Sequence, residues 1–237
     1  MRPFLSFPFF FLAAVVFAGL LILLFILVQL GLFSVAFVKL GFTPGEVFLV
    51  LLATLVGSGV NLPLMTLARP SGKAPGPVRA YGPLWGPVWR QGHRARGRAK
   101  PSQQLVAVNV GGCLVPLVLS VLFMSRAGVS TGLVLALAAT IVICHVLSRP
   151  VAGLGIAVPV LLPPIAAALA AVLLGPPEWQ PQTAYVAGTL GTLIGADILH
   201  MIRPGTRRIL DAPVLSVGGA GTFDGIFLTG IIAVLLA

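Results

Sequence analysis

From Pro3 to Val38 the chain carries no charged residue. The hydrocarbon core of a bilayer is about 30 Å thick, and a helix crosses it with about 20 apolar residues. This run is more than long enough. It also far exceeds the roughly 7–15 apolar residues of a secretory signal core, so it reads as an uncleaved anchor. The same ruler finds seven segments, at about 9–33, 46–67, 104–124, 130–148, 151–174, 184–202 and 214–237. Composition agrees: 58% of the 237 residues are hydrophobic and 8% charged, where a soluble domain needs about 25% charged residues to coat itself. The two cysteines, Cys113 and Cys144, lie inside apolar runs and do not make a disulfide framework. The segments are apolar on every side and lack barrel-type alternation. The expected fold is all-α, a polytopic transmembrane helical bundle forming a single membrane domain over 1–237. Gly and Pro break some of its helices, and the last segment is a candidate for partial re-entry.

The net charge of +10 is unevenly spread. Residues 68–103 hold Arg69, Lys73, Arg79, Arg90, Arg94, Arg96, Arg98 and Lys100 with no acid. The positive-inside rule puts this loop in the cytoplasm. Alternation over seven spans then places Arg2, Arg149, Arg203, Arg207 and Arg208 on the same side. Of 15 basic residues only Lys39 and Arg126 fall outside, together with the C-terminal Ala237. The expected location is a prokaryotic cytoplasmic (inner) membrane with the N-terminus inside. Pro and Gly forbid a regular helix in the loop. Tyr81, Trp85 and Trp89 suit a membrane–water interface. Its expected partner is the lipid bilayer itself, through anionic headgroups, rather than nucleic acid or a soluble protein.

Polar side chains within the spans are costly and therefore informative. Segment two contains Asn61 before Pro63, and segment three contains Asn109 before Gly111 and Gly112. Segment four ends near His145, segment six holds Asp197 and His200, and segment seven holds Asp224. Topology puts Asn61, Asn109, His145, Asp197 and His200 at one depth, in the cytoplasmic third. Asp224 falls near the midplane if segment seven is an unbroken helix. Gly218, Gly219 and Gly221 favour a break ahead of it instead, which brings Asp224 toward Asp197. Each of these residues also has a plain structural reading. The asparagines can satisfy backbone freed by Pro and Gly, the histidines can be interfacial, and Gly191, Gly195, Gly218 and Gly219 can simply allow close packing. The aspartates are the strongest functional candidates, because they are the only acids the membrane must accommodate.

The stretch GADILH followed by APVLSVGGAGTFDGIFLTGIIAVLLA resembles an uncharacterised prokaryotic family of integral membrane proteins with a domain of unknown function. NLPL and VNVGGCLVP are similar to it as well, and the resemblance implies no established activity. A weaker resemblance is to intramembrane aspartyl proteases, which pair one Asp with a second in a Gly-x-Gly-Asp motif. Here Thr222 and Phe223 separate Gly219-Ala220-Gly221 from Asp224, and the Pro-Ala-Leu motif of the presenilin type is missing.

The leading expectation is ion- or proton-coupled transport of a small solute or cation. Asp197 and Asp224 would carry the ion, and Asn61, Asn109, His145 and His200 would help line the site. A membrane-embedded aspartyl hydrolase would use Asp197 and Asp224 as its catalytic pair. A metal site built from His145, Asp197, His200 and Asp224 is a third reading, and a non-catalytic assembly or lipid-interaction protein is a fourth. No cofactor is implied by any motif.

Overall fold

A computed structural model describes residues 7–68, 103–151, 155–210, 212, 214–219 and 225–237. As expected, it is predominantly helical, and each apolar segment contains a helix. Helix α1 (Phe7–Lys39) is followed by α2 (Pro44–Ser58), α3 (Val115–Ala127), α4 (Thr131–Leu147) and α5 (Leu162–Leu174). Then come α6 (Gln180–Thr192), α7 (Leu199–Ile202), α8 (Pro204–Leu210) and α9 (Gly225–Leu236). Prolines mark the starts. Pro stands in the first turn of α2, α3, α5 and α6, where its missing N–H costs nothing. Thr43 and Glu46 close a capping box over α2, and Ser130 caps α4 by accepting from the Leu133 N–H at 3.1 Å.

Four of the segments expected to be helical, at 46–67, 104–124, 151–174 and 214–237, are composites of helix and strand; breaks at Gly and Pro were expected, strands were not. After α2 the chain turns into β1 (Asn61–Ala68); β2 (Gln103–Asn109) leads through a π-helical turn, Val110–Leu114, into α3. Likewise β5 (Val214–Val217) precedes α9. These strands form one sheet in the order β1-β2-β5, with β1 antiparallel and β5 parallel to β2. Pro63 cannot donate to a ladder and sits, as it must, on the edge strand β1, next to an irregularity in the register. Two short strands, β3 (Arg149–Val151) and β4 (Gly155–Ala157), form a separate hairpin. Hydropathy alone does not tell a buried strand from a buried helix, which is why the sheet was not visible in the apolar runs.

Helix α6 is the axis of the bundle. It packs against α3, α4, α5 and α9, and every residue from Thr183 to Thr192 is buried. The approach of α4 is set by two glycines one turn apart. A Cβ on Gly191 would meet the Thr140 side chain at 2.6 Å, and one on Gly195 would meet the Ile141 carbonyl and, at 3.0 Å, the Cys144 Cβ. Beyond α6 the helix loosens into a π-helical segment, Leu193–Ile198, before α7.

Charges gather at two ends. At one end the Lys39 ammonium donates to the carbonyls of Val234 (3.3 Å) and Leu235 (3.4 Å), where a cation suits the C-terminus of α9. Glu46 and Arg126 lie within electrostatic reach of each other. At the other end α8, with Arg207 and Arg208, packs on β3, which begins at Arg149. The buried Gln104 amide of β2 donates to the carbonyls of Arg207 (3.3 Å) and Ala212 (3.1 Å). Ala68 and Gln103 pair across the base of the basic loop, whose residues 69–102 lie outside the described ones.

Candidate functional site

The three helix–strand junctions meet at one level, because the register sets Asn61 opposite Asn109 and Val108 beside Val217. Asn109 is fully buried and uses its whole amide. Its Nδ2 donates to the Ser58 carbonyl (2.7 Å) at the end of α2 and to Asn61 Oδ1 (3.2 Å). Its Oδ1 accepts from the Gly112 N–H at 2.7 Å and so caps the turn leading into α3. The Ser216 hydroxyl of β5 lies 2.7 Å from both Asn61 Oδ1 and the Gly219 carbonyl, donating to one at a time. These bonds stitch the ends of α2, β2 and β5 together.

Asp197 joins this layer from the π-helical segment. Its Oδ2 accepts from the Gly218 N–H at 3.0 Å. Gly218 and Gly219 have φ of +81° and +70°, a left-handed turn that glycine adopts without strain. The turn also lies too close to Cys113 for a side chain, since a Cβ on Gly218 would sit 2.6 Å from the Cys113 Cβ. Beside Asp197 opens a cleft of about 340 Å³. One wall is apolar, with Ile156, Val158, Pro159 and Val160; the other carries Thr192, Asp197 and Thr229 and the start of α9.

The histidines form a second cluster on the other side of the same π-helical segment. The rings of His145 and His200 lie 4.5 Å apart, and their Nδ1 atoms approach the Gly195 carbonyl at 3.1 and 3.4 Å. A carbonyl only accepts, so a ring bonded to it carries its proton on Nδ1 and leaves Nε2 as the free acceptor. The Ser148 hydroxyl stands 3.3 Å from His200 Nδ1. Gly195 permits this arrangement, since a side chain there would push α4 and its histidine away.

Five of the six residues expected from the sequence therefore fall into two linked groups: Asn61, Asn109 and Asp197 in one, His145 and His200 in the other. Asp224 lies outside the described residues. The metal set of His145, Asp197, His200 and Asp224 depends on it, and among the described residues no three His, Cys, Asp or Glu side chains converge as metal ligands. Sequence reasoning missed Ser216, Ser148, Thr192 and Thr229. Ser216 had a signal, being the one hydroxyl in the apolar strand VLSV immediately before a Gly-Gly turn.

The fold and the polar layer are those of a helical membrane protein. Among the described residues, three helices are long and apolar enough to cross a bilayer, Ala14–Lys39, Val110–Ala127 and Pro177–Ile202. The chain belongs to the family described as protein of unknown function (DUF1614), whose model matches residues 55–236 and so takes in every element from the end of α2 to α9. No curated protein and no solved structure matches the chain.

Proposed function

We propose that this protein carries a small solute across a prokaryotic inner membrane in exchange for, or together with, an ion, with Asp197 at the solute or ion site. One observation carries the reading: three discontinuous segments change from strand to helix at a single level, beside a cleft of about 340 Å³ that contains a carboxylate. Transporters build their sites from broken helices, because the freed backbone groups and half-helix ends hold ions and substrates without a dedicated cofactor. Irregular backbone is tolerated at membrane depth only where protein or a water-filled cavity surrounds it. Pairing with β1 and β5 supports that reading for the central strand β2, which is largely buried.

The same reading orients the chain. The end bearing Arg149, Arg207, Arg208 and the base of loop 68–103 faces the cytoplasm, where the loop rests on anionic headgroups. The end bearing Lys39, Glu46 and Arg126 faces outward.

The test begins with the full chain in detergent and a panel of small amines, carboxylates, sugars and monovalent cations, scored by the shift in thermal unfolding. Compounds that stabilise the wild type are then followed as radiolabelled uptake into proteoliposomes. Asp197→Asn, which keeps the shape of the side chain, is expected to lose both the shift and the uptake. Equal stabilisation and equal uptake in the variant would refute the assignment of Asp197.

A further inference from the structure

We propose that a line of buried hydroxyls on α6, Tyr185 and Thr189 leading from Gln182 to Thr192 and Asp197, is a proton path, and that the proton is the ion coupled to transport. This deepens the transport reading and rests on it. Gln182, Tyr185, Thr189 and Thr192 recur at spacings of three and four, so they share one face of the helix. That face lies at the centre of the bundle, where Tyr185 and Thr189 are fully buried.

What separates these groups from ordinary buried hydroxyls is their bonding. Thr54, Thr140 and Thr229 each return a proton to the carbonyl four residues back, at 2.8, 2.8 and 2.6 Å. Thr189 does not. Among the described residues, its Oγ1, the Tyr185 hydroxyl and Gln182 Oε1 are buried without a well-formed hydrogen bond. The Thr189 side chain lies beside the Tyr185 hydroxyl, and beyond that contact neither has a polar partner among the described residues. An unpartnered buried hydroxyl weakens a fold, and neighbouring ones on a single helix face call for a reason other than stability.

The spaces at the two ends of the line differ. Gln182 borders a pocket of about 10 Å³ shared with Ser130 and Trp179, the size of a single water. Thr192 and Asp197 border the cleft of about 340 Å³. Between them Gly230 of α9 lies against both the Tyr185 ring and the Thr189 hydroxyl, so close that a Cβ there would collide. Packing this close leaves no room there for a solute or a hydrated cation, so only a proton handed between side chains could cross. Each hydroxyl accepts a proton on a lone pair and releases its own to the next acceptor, so only O–H bonds are exchanged. Gln182 orients water at the narrow mouth, and the Asp197 carboxylate is the final acceptor. Apart from Arg126 in the last turn of α3 and Glu178 in the 3-10 turn ahead of α6, the helices packed around α6 contribute no Lys, Arg, Asp or Glu, and both of these lie toward the Gln182 end of the line.

The experiment uses the full chain in phosphatidylcholine–phosphatidylglycerol liposomes that trap a pH-sensitive dye, with a potassium gradient and valinomycin driving protons inward. Wild type is expected to acidify the lumen faster than protein-free liposomes do. Tyr185→Phe and Thr189→Val are expected to return the rate to the protein-free value while their unfolding midpoints stay equal or rise, since neither hydroxyl bonds the backbone of its helix or any third described group. Thr140→Val, which deletes a hydroxyl bonded within its own helix, keeps the wild-type rate. A wild type no faster than protein-free liposomes overturns the path, as do Tyr185 and Thr189 variants that conduct like wild type or a Thr140 variant that loses the same activity. Asp197-dependent solute uptake that survives any of these results leaves the transport reading standing and removes only the proton path.

Discussion

Helix α1 and the α6–α7 unit offer membrane-crossing stretches of equal length, 26 residues each, but only the second has an interior. Of the most apolar window in Ala14–Lys39 none is buried against protein, whereas 72% of the corresponding window in Pro177–Ile202 is. The more hydrophobic helix is thus the one left uncovered by the rest of the chain, and the less hydrophobic one is the core. This inverts the rule for soluble proteins. In a bilayer the solvent is as apolar as leucine, so packing rather than greasiness draws helices together, and small or polar side chains mark the interface. Helix α1 touches the body near its C-terminal end, where Phe33 and Phe37 meet Phe227 of α9.

The sharpest way to break this contrast is with glycine. Gly191→Leu forces a side chain into Thr140, and overpacking of this kind costs about 1–3 kcal/mol or more. The variant is expected to lose most of its folded yield in a detergent-resistance assay. Gly19→Leu and Gly31→Leu, whose Cβ positions meet nothing within 4 Å, are expected to match wild type. A smaller loss follows from Asn109→Ala, which strips the cap from the Gly112 N–H and the donors from Ser58 and Asn61. An uncapped helix start plus a buried carbonyl left bare corresponds to about 2–3 kcal/mol, read as a lowered midpoint of chemical unfolding. Asn109→Asp keeps the Gly112 bond but sets a buried carboxylate oxygen against the Ser58 carbonyl and Asn61 Oδ1, so its midpoint should fall at least as far.

Asp197→Asn should cost less again, about 1 kcal/mol, because the amide oxygen still accepts from Gly218 without the added strength of a charged acceptor. Its stability and its transport are therefore expected to part company, with a small shift in unfolding and a large one in uptake. The least effect is expected from permuting Val15–Leu24 among themselves. These side chains are exposed to lipid, and any change in midpoint beyond about 0.5 kcal/mol would show that α1 packs on something besides lipid.

The contrast also explains how much was legible beforehand. Seven apolar runs stand out, since exclusion of charge is all that a bilayer demands of a span, and a helix lies in each. The strands do not stand out. LVAV before Asn109 and VLSV before Gly218 are β-branched, but in an apolar run such residues suit a membrane helix equally well. Pro63 was the one local hint that β1 was not helical. The polar residues were found because each is anomalous within an apolar run, whereas the layer that holds Asn61, Asn109 and Asp197 is set by strand register. Their connection through Ser216 and the Gly218 N–H was not readable, as it depends on a strand register and on backbone groups that carry no sequence label.

Pairing of Ala68 with Gln103 has a practical corollary. The sheet itself holds the two ends of the basic loop side by side, so the length of chain between them matters little to closure, at about 0.6 kcal/mol per doubling. This is where the polypeptide should accept a graft. A fluorescent protein or an affinity tag spliced between residues 68 and 103 would report which side of the membrane the loop occupies. A two-residue turn in the same place would yield a shortened protein with the sheet, the cleft and α6 intact, better suited to crystallisation.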